Sequence, residues 1–560
     1  MAVTQRGRAN VAHVNMMTDT IIANLPTDGL RAVLRSLLAS HPEITSSLEE
    51  EARRYALQSA STKLSAEQPA TDIPALKETE NLVRCMAGSG LCFESLPLLG
   101  QLVTQATHAT ADDEHFLASV DGDIVQVMTA VQKSLFVPTG TRGMTVDEQT
   151  HLQRFNKTLR ECEEANQRAR GTHCFSRGAA ATASALGVPD ATAKEMNESS
   201  KQSLQNARPP PEAKETFELG NKTLPRIFSG LWQMSSPAWG AAPTAKILDQ
   251  FYKHVQGGFN AFDMADHYGD AEIIFGRFWS SYPYRDSVFT ATKYCVFHQM
   301  TDVTREGVRA SVTERCKRLQ QDKVDLLQFH WQFYENPRYL DVLRFLAEDD
   351  RVGMIGLCNF DTEHMERVLD AGIVFHANQV QVCHPRQTLQ KSVANTAKFS
   401  LIDSRPVFKM GEFCETHKIK LLTYGTLCGG FLSDKWLGKP EPDLYDQAIT
   451  PSQRKYHTMI RGWGDWTLFQ DLLQTLHRIA TKHGVSVSNV ATRWVLDFPY
   501  VGAVIVGARM GISEHTDSNL ASFGWSLDKQ DQEAIEEVLS RSRRSELFES
   551  VGDCGQEYRV

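Results

Sequence analysis

The sequence predicts an α/β protein: a (β/α)8 TIM barrel preceded by a mostly α-helical region and a proline-rich linker. Three observations predict it. From about residue 216 onward, eight short apolar runs alternate with stretches of helical period, as a parallel sheet covered on both faces requires. The residues with useful chemistry fall at the C-terminal ends of those runs, where such barrels build their sites. Before about residue 190, apolar residues recur at helical spacing and strand alternation is missing.

In the N-terminal region (1–190), Leu30, Val33, Leu34, Leu37 and Leu38 form one apolar stripe on a helix. Asp28 is its expected N-cap, and His41-Pro42 its stop. Ser47 and Glu50 have the spacing of a capping box for the next helix. Pro97 is expected to start or break the helix within Leu91–Val103, and 60–75 and 136–147 read as loops. Residues 148–185 read as helical, or as ordered by a partner. His151, His173 and Cys174 lack metal-ligand spacing, so no metal is expected. The region reads as an interaction or regulatory module offering a surface to a protein partner. Residues 191–215 are polar and contain Pro209-Pro210-Pro211, which suits an extended, semi-rigid linker.

The predicted barrel strands are Ile227–Leu231, Phe259–Asp263, Val288–Lys293, Val324–His330, Met354–Asn359, Asn378–Gln381, Ile419–Tyr424 and Val504–Val506. Helical stretches such as 243–256, 304–320, 338–347 and 467–484 lie between them. The barrel is expected to span 216–545, with a tail over 546–560.

The net charge of −9 leaves no basic face for nucleic acid. No apolar run approaches the roughly 18 residues of a membrane span. Eleven cysteines stand singly without a C-x-x-C pair, which reads as reduced thiols in the cytoplasm.

Four residues at or just past strand ends make a complete set for carbonyl reduction: Asp263, Tyr268, Lys293 and His330. Hydride addition leaves an alkoxide that needs a proton. A tyrosine supplies it if a neighbouring ammonium favours phenolate, and a carboxylate keeps that ammonium charged and in place. A histidine beside the phenol can orient the carbonyl oxygen.

These residues resemble the aldo-keto reductase family. Phe262-Asp-Met-Ala-Asp-His-Tyr-Gly-Asp-Ala-Glu272 is similar to its Asp-x4-Tyr-Gly signature, Ala291-Thr-Lys293 to its lysine strand, and Asp325-Leu-Leu-Gln-Phe-His-Trp331 to its histidine strand. Ile355–Phe360, Asn378–Gln381, Leu422–Leu432 and Val506-Gly-Ala-Arg509 with His515 and Asn519 continue the likeness in order. The resemblance implies NADPH as cofactor and a small-molecule carbonyl as substrate. It implies that Cys358, Asn359 and Gln379 hold the nicotinamide carboxamide and that Tyr424 stacks on the ring. Gly425, Thr426 and Leu427 would approach the pyrophosphate, and Gly507, Arg509, His515 and Asn519 the adenine end. A guanidinium at Arg509 near the 2′-phosphate is the physical reason to prefer NADPH over NADH. The N-terminal region resembles uncharacterised helical proteins of filamentous fungi, which implies no function; a place in fungal secondary metabolism follows only from the resemblance.

Two departures stand out. Cys358 replaces a common serine, and a thiol is a weak donor. Val382–Lys398 separates two motifs that the family joins almost directly. It reads either as a surface loop or as a retained intron, since a valine codon begins GT, a lysine codon can end in AG, and Ala394-Asn395 can encode a branch-site-like string. Cys295, beside Lys293, reads as barrel packing rather than a reactive thiol. Trp331, Trp436 and Trp463 are candidates for the substrate mouth, or for packing. Ser540–Arg544 reads as a solvated basic helix end, with the last residues covering the mouth. The contrasting functional reading is an NADPH-binding sensor or scaffold with little turnover, which has no need of all four reacting residues.

Overall fold

The computed structural model describes residues 24–65, 72–107, 114–137, 140–171, 173–188, 207–235, 242–297, 302–380, 400–443 and 449–556. The proposed insert 382–398 and most of the linker lie outside them. Among the described residues, these α-helices precede the barrel: α1 (Thr27–Ser40), α2 (Thr45–Leu64), α3 (Ile73–Gly88), α4 (Cys92–Thr107), α5 (Glu114–Ser134), α6 (Val146–Arg170) and α7 (Ser176–Leu186). Leu99, Leu102, Ile124, Val131, Phe155, Leu159 and Phe175 form part of their own buried core. Residues 148–185 are therefore ordered by this chain's packing. Thr145 and Glu148 close a capping box at the start of α6, and Gly171 ends it in the left-handed conformation.

Several local expectations for the module fail. Asp28 lies inside α1, whose N-cap is Pro26 with no side-chain cap. Ser47 lies inside α2, which starts at Thr45 without a capping box. The segment from residue 60 stays helical to Leu64, and 136–147 holds the paired strands β1 (Phe136–Val137) and β2 (Gly140–Thr141) before α6 begins. Helix α4 runs straight through Pro97, because its buried neighbours Leu96, Leu98 and Leu99 outweigh a proline cost of about 3 kcal/mol. The apolar stripe of α1 exists, but Val33, Leu34 and Leu37 are exposed.

Eight strands close into a barrel: β5 (Ile227–Gly230), β6 (Ala261–Asp263), β7 (Phe289–Val296), β8 (Val324–Trp331), β9 (Val352–Cys358), β10 (Ala377–Val380), β11 (Lys420–Tyr424) and β12 (Val501–Gly507). Each pairs in parallel with its sequence neighbour, and β12 returns to β5. Their near-continuous burial is what strands covered by helices outside and side chains inside require. The helices that matter for the site are α8 (Thr244–Gln256), α9 (Ala271–Ser281) and α10 (Arg305–Leu319).

A hairpin, β3 (Thr216–Leu219) with β4 (Lys222–Pro225), precedes the first barrel strand. Phe217 packs on Phe228, with ring centroids 6.2 Å apart, within a core cluster that includes Ala261, Leu326, Leu422 and Ala503. A Cβ at Gly502 would sit 2.4 Å from the Phe217 ring, so glycine permits this plug at the barrel's base.

Candidate active site

Strand β6 delivers Asp263 at its C-terminal end, and a tight turn then carries Tyr268. Tyr268 donates its backbone N–H to Ala265, Ala271 donates to Tyr268, and Gly269 takes a φ of +60° between them. Lys293 and His330 point inward from β7 and β8 and are nearly fully buried. Lys293 Nζ donates to Asp263 Oδ2 at 2.7 Å and to the Met264 carbonyl at 2.9 Å. The same ammonium lies 4.7 Å from the centre of the Tyr268 ring. Three of the four expected catalytic residues are thus in one cluster. Asn359 Nδ2 lies 3.2 Å from His330 Nε2, and the His330 ring reaches Tyr268 through a chain of aromatic contacts via Phe297 and His267.

Burial pushes the Tyr268 phenol well above its ordinary value, while Lys293 pulls it back. Burial would lower the Lys293 ammonium, but Asp263, then Tyr268, outweigh it and hold the lysine charged. Burial, with His267 and Lys293, pushes His330 down to about 3, so the ring is neutral. Burial pushes the Cys358 thiol up to about 12, which leaves it protonated.

Asp263 is held from its other side as well. Gln328 Nε2 and Gln379 Nε2 donate to Oδ1 at 2.8 and 2.7 Å. Gln328 was missed from the sequence, although it lies two residues before His330 on one strand and so faces the same way. Gln379, expected at the carboxamide, spends its amide N–H groups on Asp263 and Gln328. Asn359 adopts a φ of +61°, rare for a residue other than glycine, and donates its backbone N–H to the Gln379 carbonyl at 2.8 Å.

The turn around Tyr268 is anchored by further ion pairs that the sequence did not disclose. Arg315 pairs with Asp266 and donates to the Lys293 carbonyl at 3.0 Å. Arg318 donates to Glu272 and to the Asp266 carbonyl, both at 3.2 Å. Asp266, His267 and Cys295 bring ligand atoms within 4.8 Å of one another. Burial, with Asp266, keeps the Cys295 thiol protonated, and Asp266 is already engaged by Arg315, so the chemistry of the set disfavours a metal.

At the far end, Gly507, Arg509, His515 and Asn519 line one cleft with Ser229 and His254. Arg509 is exposed and makes no ion pair among the described residues. A Cβ at Gly507 would stand 2.3 Å from the Gln233 amide, and Gln233 Oε1 is buried without a hydrogen bond. This cradle, with an open guanidinium at its rim, fits the phosphate-bearing end of a dinucleotide. Tyr424 is half-buried at the end of β11, and Gly425, Thr426 and Leu427 form the turn after it, where Gly425 takes a φ of +79°. The residues expected to meet a cofactor therefore follow strands β9 to β12, which are neighbours in the barrel.

Trp331 and Trp463 are fully buried and so lack the exposed ring that lining the mouth requires, whereas Trp436 is half-buried and packs against Phe431 and Trp466. Cys295 is packed, as expected. Beyond the barrel, the helix Arg544–Val551 is followed by Asp553, which accepts the Thr362 N–H at 2.8 Å, and Gly555, whose backbone lies against Asn359. Residues 553–555 thus pack beside the end of β9.

Closed parallel strands with a buried carboxylate–ammonium pair beside a phenol define an oxidoreductase barrel. Residues 226–540 match the aldo/keto reductase family model, and the chain belongs to that family. Aldo-keto reductase YhdN of Bacillus subtilis is 26% identical over 57% of this chain and 90% of its own. Norsolorinic acid reductase B of Dothistroma septosporum is 27% identical over 52% of this chain and 70% of its own. Among solved structures, a glycerol dehydrogenase from Gluconobacter oxydans is 23% identical, with a TM-score of 0.46, covering 59% of this chain and 97% of its own. No helix among the described residues is long and apolar enough to cross a membrane.

Proposed function

We propose that this chain reduces an aldehyde or ketone to an alcohol with NADPH, and that Tyr268 supplies the proton. The observation that carries the reading is the Lys293 ammonium, 2.7 Å from Asp263 and 4.7 Å from the Tyr268 ring centre. As hydride arrives at the carbonyl carbon, negative charge grows on the carbonyl oxygen. Tyr268 gives that oxygen its proton, and the adjacent ammonium stabilises the phenolate left behind. Asp263 keeps the lysine charged, and the neutral His330 orients the oxygen.

When bound, NADPH supplies the hydride from its nicotinamide ring. Asn359 and Gln379 would hold its carboxamide, Tyr424 would stack on the ring, and Gly425, Thr426 and Leu427 would approach the pyrophosphate. Gly507, Arg509, His515 and Asn519 would take the adenine end, with Arg509 at the 2′-phosphate. Cys358 is the weakest of the expected contacts, because its thiol stays protonated and donates poorly. The scattered cysteines support a cytoplasmic setting.

The test is NADPH consumption against a panel of aldehydes, ketones and quinones that includes norsolorinic acid, after fluorescence titration has established cofactor binding. Turnover that disappears in Tyr268→Phe supports the reading. Tight NADPH binding with no turnover of any carbonyl defeats it.

A further inference from the structure

We propose that Arg177, in the helical module outside the family's barrel, is a positioning residue for the reaction: its buried pair with Asp270 fixes the turn that carries Tyr268. The inference rests on Tyr268 being the proton donor.

The contact is bidentate. Arg177 Nε donates to Asp270 Oδ2 and Nη2 to Oδ1, each at 2.8 Å. Both side chains are nearly inaccessible to water, at 6% and 0% exposure. A buried guanidinium fork on a carboxylate is the most directional ion pair available to a protein, and it tolerates little displacement of either backbone. Asp270 lies two residues beyond Tyr268, with only Gly269 between them.

Asp270 is also the N-cap residue of α9, where an aspartate ordinarily accepts from its own helix's N–H groups. Here its side chain makes no cap hydrogen bond. The carboxylate is turned outward to Arg177, so a local helix-stabilising contact has given way to one across the module–barrel boundary.

Arg177 occupies an equally unfavourable place. It is the second residue of α7, in the first turn, where the helix dipole disfavours a cation. Asp121 of α5 offsets this, accepting from the backbone N–H of Gly178 at 2.7 Å and of Arg177 at 3.4 Å. Gly178 permits the approach, since a Cβ there would stand 2.6 Å from Ile124. The chain has therefore built α5 and α7 tightly around a cation whose side chain points at the catalytic turn.

Two further polar contacts hold the module against the same part of the barrel. Ser176 Oγ lies 3.0 Å from Thr244 Oγ1 at the start of α8. Arg318 donates to Gln132 Oε1 of α5 at 2.6 Å while also holding Glu272 and the Asp266 carbonyl. The turn 266–272 is thus gripped by barrel arginines on one side and by the module on the other. The family match begins at residue 226, so the second grip is an addition to the family's barrel.

A contact that merely glues two bodies together would leave the bond-making step alone; a contact that aims the phenol would lower kcat and leave ligand affinity nearly unchanged. The experiment uses full-length Arg177→Gln, Arg177→Lys, Asp270→Asn and the Arg177→Gln/Asp270→Asn double variant, with a carbonyl that the wild type reduces. In Arg177→Gln and Asp270→Asn, kcat should fall by about 10- to 100-fold, while KM and the NADPH Kd change by less than about threefold. Arg177→Lys should recover part of the loss, and the double variant should be no slower than the worse single one. Hydrogen exchange should rise in peptides covering 264–272. A kcat within about twofold of wild type in a folded Asp270→Asn, or unchanged exchange in that turn, overturns the proposal. If Arg177→Gln does not fold, Asp270→Asn and Arg177→Lys decide it. If the wild type reduces no carbonyl, the reductase reading fails, and the exchange measurement still judges whether Arg177 fixes the turn.

Discussion

Lys293 Nζ lies 4.7 Å from the centre of the Tyr268 ring, and that separation governs what the phenol can do. An ammonium there was expected from the sequence to acidify the tyrosine. It does pull the phenol down, yet burial pulls harder the other way, so the folded chain holds Tyr268 as a loaded acid. The ammonium's larger service comes later, when a phenolate has formed and needs a counter-charge.

Replacing Tyr268 by phenylalanine keeps the ring and its packing but removes the proton. Carbonyl reduction should fall by about 100- to 10,000-fold while NADPH binding holds. Because the phenol is pushed above its ordinary value, wild-type reduction should show no falling limb from about pH 6 to about pH 9. A pH–rate profile measured alongside the variant tests both; a clear descending limb near neutrality would contradict the assignment.

Asp263 and Lys293 should fail asymmetrically with their partners. Lys293→Met leaves a buried carboxylate whose remaining contacts are the amides of Gln328 and Gln379. Breaking a buried pair from one side costs about 3 to 5 kcal/mol. The Asp263→Asn/Lys293→Met double variant should therefore be more stable to urea than Lys293→Met alone, although both are inactive. If the double variant is the less stable of the two, the pair is not what holds this end of β6.

Arg509 is exposed at the rim of the cleft shared by Gly507, His515 and Asn519. A guanidinium that recognises the 2′-phosphate should matter for NADPH and be indifferent to NADH. Arg509→Ala should weaken NADPH by about 10- to 100-fold and NADH by less than about threefold, read by fluorescence titration. Equal losses for the two cofactors would move Arg509 away from that phosphate.

Most of the barrel was legible because each strand is a short apolar run with a turn at its end. Observed and expected boundaries agree within about three residues even for β12, the least well marked. The hairpin at Thr216–Pro225 escaped, although Gly220-Asn221 between two short runs is a turn signal. In the module the helices were legible and their ends were not. Asp28 and Ser47 have the right chemistry for caps, but the N-caps fall two and three residues earlier, at Pro26 and Ile44, and neither makes a side-chain cap hydrogen bond. Asp263, Tyr268, Lys293 and His330 could be found because each has a local motif. The Arg177–Asp270 pair joins residues 93 apart in sequence, and neither carries a local signal of the other.

Asp121 gives the module a pH dependence whose sign is fixed. Burial pushes its carboxyl up to about 7; Arg177 and the Gly178 N–H oppose this, while Glu163 and Asp270 add to it. The unfolded value is about 3.9. Between those values the folded chain keeps a proton that the unfolded chain releases, so this group's contribution to stability declines as pH rises through the window. Asparagine mimics the protonated form and retains an acceptor for Gly178. The thermal midpoint of Asp121→Asn, measured relative to wild type, should therefore be more favourable at about pH 7.5 than at about pH 5. Subtracting the wild type at each pH removes the parallel contribution of Asp123, which burial also holds at about 7. A difference between variant and wild type that stays constant across that range would mean Asp121 is ionised throughout, held so by Arg177.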